Sequence, residues 1–232
     1  MPGSISSIED CAEGHSQVPP LHSYEKCEVK ISRMEEIVIN EKISYIKSSE
    51  DPLSADIGIV RDDGKIWLYD VGSDERKIQG LNQHYQVVIS HFHQDHTGNM
   101  QRLSIDELYV SRESYKHMGT GTVVTDVVRQ GTITIFPIPS SHCKGCLGME
   151  IDGQYAFVGD ALYSRNKGGY HSYNAQLLKA EIDVLKNIKA PYLLVSHFEG
   201  LIRSREEVIK ELENIYRQRE KNSSEIRVKR SV

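Results

Sequence analysis

Five of the ten histidines in this 232-residue sequence join two aspartates in one spaced set. The set runs His91-Phe92-His93-Gln94-Asp95-His96, then His142, Asp160 and His197. Imidazole nitrogens and carboxylate oxygens are donors that suit zinc, iron and manganese. In an extended segment, side chains two apart point the same way, so His91 and His93 can share one cation. Adding His142 gives that cation three imidazoles and leaves a position open for water, as catalytic zinc requires. A turn after His93 brings Asp95 and His96 round to a second cation, which His197 completes. Asp160, with two oxygens, is the natural bridge between ions held about 3.5–4 Å apart. Two divalent cations against two carboxylates and a bridging hydroxide leave a charge of about +1, suited to stabilising an oxyanion. The chemistry expected of such a set is hydrolysis.

Rigid elements must deliver these groups to one place. Each follows an apolar run: Gln86-Val87-Val88-Ile89-Ser90 precedes His91, Ile133 to Pro139 precedes Ser140-Ser141-His142, Tyr155 to Gly159 precedes Asp160, and Tyr192 to Ser196 precedes His197. A fifth run, Ile66 to Tyr69, ends in Asp70. Further β-branched runs begin at Val29 and Ile31 and continue at Ile37–Ile39, Ile43–Ile46 and Ile57–Val60, and Asp62-Asp63-Gly64 predicts a hairpin turn. Beyond the histidine cluster, the pattern predicts helix over Met100–Glu107, strand over Leu108–Val110, helix over Glu113–Met118 and an extended run over Thr132–Ile138. Leu178, Ile182, Leu185 and Lys189 form one helical stripe, and Ser204-x-x-Glu207 is a capping box opening a last helix that faces Val208, Leu212, Ile215 and Tyr216 inward. The tail beyond Lys221 reads as frayed. Sheets at the centre with helices outside follow from this order.

Length and composition narrow the classes. A chain of 232 residues supports one substantial core, read as a single domain over 28–232 behind a loosely held arm over 1–27 rich in Ser, Glu, Gly and Pro. No apolar run approaches the roughly 18 residues of a membrane span, and no secretion signal opens the chain, so a cytoplasmic location is expected with no membrane partner. A net charge of −5 offers no general attraction to nucleic acid. The basic residues Arg217, Arg219, Lys221, Arg227, Lys229 and Arg230 are diluted by Glu213, Glu220 and Glu225 and read as a solvated helix face. The expected partner is a small-molecule substrate, with the oligomeric state open. Cys143 and Cys146 read as a turn with two incidental thiols, and Cys11, His15, His22 and Cys27 as part of the arm.

The motif His91-x-His93-x-Asp95-His96, followed by His142, Asp160 and His197 at strand ends, resembles the metallo-β-lactamase superfamily over about Glu36 to His197. Tyr69-Asp70-Val71-Gly72 is similar to that family's aspartate-glycine segment, whose aspartate orients the histidine loop. The resemblance implies an α/β fold, a four-layer αβ/βα sandwich. Family members that hydrolyse antibiotics with two zinc ions commonly carry cysteine at a second-ion position. This chain has Asp160 instead, which is closer to the glyoxalase, lactonase and phosphodiesterase branches. The family's diiron redox members place an acidic residue where this chain has His93. The expectation is a hydrolase of small esters, lactones or thioesters, with Asp95 and Asp70 assisting catalysis and two divalent cations, zinc by default and iron or manganese as alternatives. The rival readings are a phosphodiesterase or RNA-processing nuclease on the same site, and a mononuclear iron enzyme oxidising a thiol. Tyr163, Tyr170, His171 and Tyr173, on the polar loop after Asp160, are candidates to overhang the site and donate a proton. With Gly168-Gly169 inside it, that loop reads either as a lid or as a passive connection.

Overall fold

The β-branched runs of the first half become a meander in which alternate residues face opposite ways. In a computed structural model, which describes residues 35–229, the chain opens with strands β1 (Glu36–Val38) and β2 (Ile43–Ile46), then the short hairpin β3 (Ser49–Glu50) and β4 (Leu53–Ser54). Strands β5 (Ile57–Asp62) and β6 (Lys65–Tyr69) flank the Asp63-Gly64 turn, where both residues have positive φ. Next come β7 (His84–Val88), helix α1 (Gln94–Thr97), β8 (Ser104–Ser111), helix α2 (Arg112–Met118) and β9 (Thr122–Val124). The expected arm, its cysteines and histidines, and the runs at Val29 and Ile31 lie outside the described residues. Those described fall within one compact unit.

The second half supplies β10 (Val128–Gln130), β11 (Ile133–Ile138), β12 (Cys146–Ile151), β13 (Tyr155–Gly159), the hairpin β14 (Arg165–Lys167) and β15 (Tyr170–Asn174), and helix α3 (Ala175–Asn187). It finishes with β16 (Tyr192–Val195), β17 (Ile202–Ser204), helix α4 (Arg205–Arg217) and β18 (Glu225–Lys229). One sheet has the order β1-β2-β5-β6-β7-β8-β9 and a second β10-β11-β12-β13-β16-β17, while β14, β15 and β18 form a separate three-stranded sheet.

The layers follow from the two-residue alternation. Trp67, Tyr69 and Val88 of the first sheet meet Ile133, Ile135, Met149 and Phe157 of the second in a core between the sheets. Leu68, Val87 and Ile89 turn the other way and pack with Ile78 and Met118 on the outer face. Behind the second sheet, Ala156, Val158 and Leu193 are covered by Leu178, Ile182 and Leu185 of α3 and by Val208 and Leu212 of α4. Asn174 caps α3 by accepting from the backbone N–H groups of Gln176 and Leu177, and Ser204 caps α4 by accepting from that of Glu207. This four-layer arrangement is the sandwich that the sequence resemblance implies.

Three expectations are corrected. Only Met100–Arg102 makes a single turn of helix, and Ser104 begins an eight-residue strand. β8 lies between β7 and β9 with parallel partners on both sides, so its pairing outweighs a local pattern that short apolar runs leave ambiguous. The tail is not frayed either: Glu225–Lys229 pairs antiparallel with Tyr170–Asn174, with Ile226 buried beneath it. α3 also ends at Asn187, which leaves Lys189 off its stripe.

Glu181 departs from the pattern that builds α3. It sits three residues after Leu178 on the buried face, it is fully buried, and neither carboxylate oxygen has a hydrogen-bond partner among the described residues. Burial pushes its carboxyl well above the ordinary carboxylate value. The unfolded chain ionises this group near its ordinary pKa of about 4.3 and the folded chain only at higher pH, so stability is lost as pH rises between the two values. Glu181→Leu is therefore expected to raise the melting temperature, by more at pH 8 than at pH 4.5. About 1–3 kcal/mol is at stake for an unsatisfied buried polar group, roughly 2–4 °C per kcal/mol at this chain length. Thermal unfolding at the two pH values checks this, and an equal effect at both would exclude the ionisation.

Candidate metal centre

The parallel pairing of β6 with β7, and of β13 with β16, puts the C-terminal ends of these strands on one edge of each sheet. β11 is antiparallel to β12, which is antiparallel to β13, so β11 ends on that edge too. Asp70, His91, His142, Asp160 and His197 all follow these ends, which is why positions 127 residues apart in sequence meet. Two glycines permit the close approach. A Cβ on Gly159, which has φ +54°, would lie 2.7 Å from Ser90 Cβ, and one on Gly98 would lie 2.8 Å from Ser73 Cβ. Gly98 itself has an ordinary helical φ of −58°, so proximity to Ser73, rather than an unusual turn conformation, requires glycine there.

The seven predicted ligands form two groups, His91 with His93 and His142, and Asp95 with His96, Asp160 and His197. In the first, His93 Nδ1 lies 2.8 Å from His91 Nε2 and 3.2 Å from His142 Nε2. In the second, Asp95 Oδ2 is 3.5 Å from His96 Nε2 and 3.2 Å from His197 Nε2. Asp160 spans the two, since its Oδ2 is 3.5 Å from both His142 Nε2 and His96 Nε2. Nitrogens bonded at about 2.0–2.1 Å to one tetrahedral ion stand roughly 3.3 Å apart. The spacings in both groups are of that size.

Orphaned buried atoms support the same fit. His96 Nε2 and Asp160 Oδ1 have no hydrogen-bond partner among the described residues, although His96 is fully buried and Asp160 nearly so. Unpaired polar atoms at such depth are costly unless something else binds them, and a cation accepts both lone pairs. The donor set of imidazoles and carboxylates suits a divalent ion of the zinc, iron or manganese kind.

A layer of hydrogen bonds behind the ligands fixes the rings. With Nε2 turned to the site, His91 donates from Nδ1 to Ser90 Oγ at 3.0 Å, and His96 donates from Nδ1 to Asp70 Oδ2 at 2.7 Å. Asp70 Oδ1 accepts the backbone N–H of Ser90 at 2.7 Å. Asp70 is wholly buried and lies behind the ligands, in contact with the His96 ring and with the backbone N–H of Ser90. Ser90 was not singled out from sequence, and neither was Asp56. Asp56 is almost fully buried, and its carboxylate accepts the backbone N–H of His197 at 2.9 Å and that of Ser48 at 2.9 Å. His197 has φ +60°, a conformation in which a residue other than glycine needs support. Asp56 lies 141 residues away in sequence, where local spacing gives no signal.

Electrostatics differ between the groups. Burial, reinforced by the surrounding imidazoles, drives His91 far below the ordinary histidine value, and burial lowers His93 and His142 as well. Neutral imidazoles are the form that ligates. His197 is raised, chiefly by its hydrogen bond to Asp95. For His96 burial is the largest single influence and acts downward, but Asp70 and Asp160 together outweigh it and hold the ring well above its usual value. The second group thus attracts positive charge.

Beside His142 opens a pocket of about 560 Å³ that Tyr163, His171 and Tyr173 help to line, while Tyr170 does not. The Tyr163 hydroxyl donates to the Ser196 carbonyl at 2.6 Å. The hairpin β14–β15 that carries this wall is tied down by β18. Cys143 and Cys146, which follow His142 in sequence, are both free and buried. Among the described residues no helix is long and apolar enough to cross a membrane.

No protein-family model matches this sequence, and no curated protein matches it either. Solved structures do match in three dimensions. The DIM-1 metallo-β-lactamase is 16% identical, with 79% of this chain and 96% of that chain covered at a TM-score of 0.60. A β-lactamase domain protein from Burkholderia ambifaria is 17% identical, with 82% and 78% covered at 0.55. An archaeal metallo-β-lactamase superfamily protein from Sulfolobus tokodaii is 15% identical, with 78% and 90% covered at 0.50. At these identities the likeness establishes the fold: the chain has the metallo-β-lactamase α/β sandwich.

Proposed function

We propose that this chain is a metal-dependent hydrolase that holds two divalent cations, zinc by default, and cleaves a small ester, lactone or thioester. The observation that carries the reading is Asp160, whose Oδ2 stands 3.5 Å from one imidazole nitrogen of each group. A single carboxylate placed so is built to join two cations. Bound there, the cations would lower the pKa of a water toward neutrality and polarise the substrate's electrophilic oxygen.

The chain's own residues do the rest. His91, His93 and His142 present neutral nitrogens on one side, and Asp95, His96 and His197 present a more anionic set on the other. Asp70 and Ser90 fix the rings of His96 and His91 before any ligand arrives, so the donor geometry is set in advance. The pocket beside His142 receives the substrate, and its volume falls within the roughly 300–1,000 Å³ of small-molecule sites.

Metal analysis of the purified chain, paired with lactone, thioester and phosphodiester substrates, tests the reading. The expected result is two equivalents of metal per chain and turnover of a lactone or thioester. Turnover of the phosphodiester alone would overturn the substrate class, and one iron with oxygen uptake would overturn hydrolysis.

A further inference from the structure

The loop that carries His142 also carries two thiols that hydrolysis does not use. It runs from Ile138, the last residue of β11, to Cys146, the first of β12, and these two residues are the register partners that close it. Cys143 and Cys146 are both free, and their side chains are hydrogen-bonded to one another. Cys146 Sγ also donates to the Cys143 carbonyl at 3.6 Å, so the second thiol reaches back across the bend to the first. Gly145 permits that bend with φ +75°, and a Cβ on it would lie 2.6 Å from Ser111 Oγ. The two cysteines are held differently. Cys146 is wholly buried in β12, and the next residue, Leu147, donates its backbone N–H to the Ser90 carbonyl at 2.8 Å. Among the described residues, no backbone hydrogen bond joins Cys143, Lys144 or Gly145 to another backbone group. Cys143 is therefore the end of the pair that can move, and it adjoins His142.

We propose that Cys143 and Cys146 form a reversible redox site, closed to a disulfide by exchange with a small disulfide such as oxidised glutathione, and that closure draws His142 out of the first metal group. The effect on metal rests on the reading of the site as a metal centre, whereas the exchange does not. In the exchange the Cys143 sulfur, its proton lost, attacks one sulfur of the small disulfide, whose S–S bond breaks and releases one thiol. The Cys146 sulfur then attacks Cys143 in the mixed disulfide and releases the second thiol. Two S–H bonds of the chain become one S–S bond, the reagent's S–S bond becomes two S–H bonds, and two electrons pass from chain to reagent. A covalent S–S bond is shorter than any contact between separate thiols, so closure pulls the two residues together. With Cys146 fixed in its strand, Cys143 makes the move and takes the His142 backbone with it. His142 Nε2 stands 3.2 Å from His93 Nδ1 and 3.5 Å from Asp160 Oδ2, and a displaced backbone spoils both spacings.

The test uses the full chain, metal-free and zinc-loaded, equilibrated in mixtures of reduced and oxidised glutathione. Peptide mapping after alkylation locates the cross-link and separates this pair from Cys11 and Cys27. The metal-free chain is expected to form the Cys143–Cys146 disulfide and to lose it again in excess reduced glutathione. Coupling between sites is reciprocal, so if closure weakens the first metal position, metal there must resist closure by the same factor. The zinc-loaded chain should therefore need about a tenfold more oxidising glutathione ratio for half-closure. His142→Ala should abolish that difference, and Cys146→Ala should stop at a glutathione adduct on Cys143. Thiols that stay reduced in every mixture would overturn the redox site. Equal half-closure ratios with and without zinc would overturn the link to the metal group. A difference that survives His142→Ala would place zinc on the thiols themselves and overturn that link as well. If the chain binds no zinc, the hydrolase reading fails, and mapping of the metal-free chain still decides the redox site.

Discussion

Asp160→Asn is expected to empty both metal positions and to lower kcat/KM by more than about 100-fold, since loss even of a group that only supports a metal ligand costs roughly 10–100-fold. The physical reason lies in the contacts of one oxygen. Asp160 Oδ2 is 3.5 Å from His142 Nε2 in one group and 3.5 Å from His96 Nε2 in the other, and Oδ1 is buried with no partner among the described residues. An amide keeps the shape but removes the charge, and it turns one of the two oxygens into an N–H₂ donor that a cation repels. His142→Ala is the control, because it removes a ligand from the first group only and should leave the second partly filled. Metal content measured after dialysis separates the cases: a fraction of one equivalent retained by His142→Ala and close to none by Asp160→Asn. Retention of two equivalents by Asp160→Asn would remove the bridging role.

The contrast between these residues and Asp56 explains what the sequence could disclose. His91, His142, Asp160 and His197 each follow an apolar run that stops abruptly at polar residues, and His93, Asp95 and His96 follow His91 at close spacing, so the pattern is local and can be seen before any fold is known. The strands themselves were legible for the same reason, as were α3 and α4 through their stripes and capping residues. What escaped depends on distant partners. Ser104–Ser111 is a strand because β7 and β9 flank it, and Glu225–Lys229 is a strand because Tyr170–Asn174 lies beside it. Ile226 and Val228 did alternate with charged neighbours, but the surrounding charges suggested solvent. Glu181 is the converse case. It occupies a position that the helical period assigns to the core, and the presence of a carboxylate there is a departure for which the structure offers no partner among the described residues.

Asp56→Ala should separate a positioning role from a merely structural one. The Asp56 carboxylate accepts two backbone N–H groups, from Ser48 and from His197, and the second belongs to a ligand held at φ +60°. Removing it leaves both N–H groups without that acceptor, at a cost to stability of about 1 kcal/mol or more each. It also frees the His197 backbone to leave a sparsely populated conformation, carrying Nε2 away from Asp95 Oδ2, which now lies 3.2 Å from it. His91, His93 and His142 do not depend on Asp56, so the two groups should respond differently. Stepwise metal titration is expected to show the second position weakened by about 10- to 100-fold, the usual cost of losing a group behind a metal ligand, with the first position nearly unchanged. Asp56→Asn keeps one acceptor oxygen and can still serve one of the two N–H groups, so it should fall between Ala and the native residue. A general loss of stability would instead weaken both positions together and rank the variants by melting temperature alone. Parallel loss at the two positions would therefore reduce Asp56 to a structural residue, while selective loss with partial rescue by Asn would make it the group that aims His197.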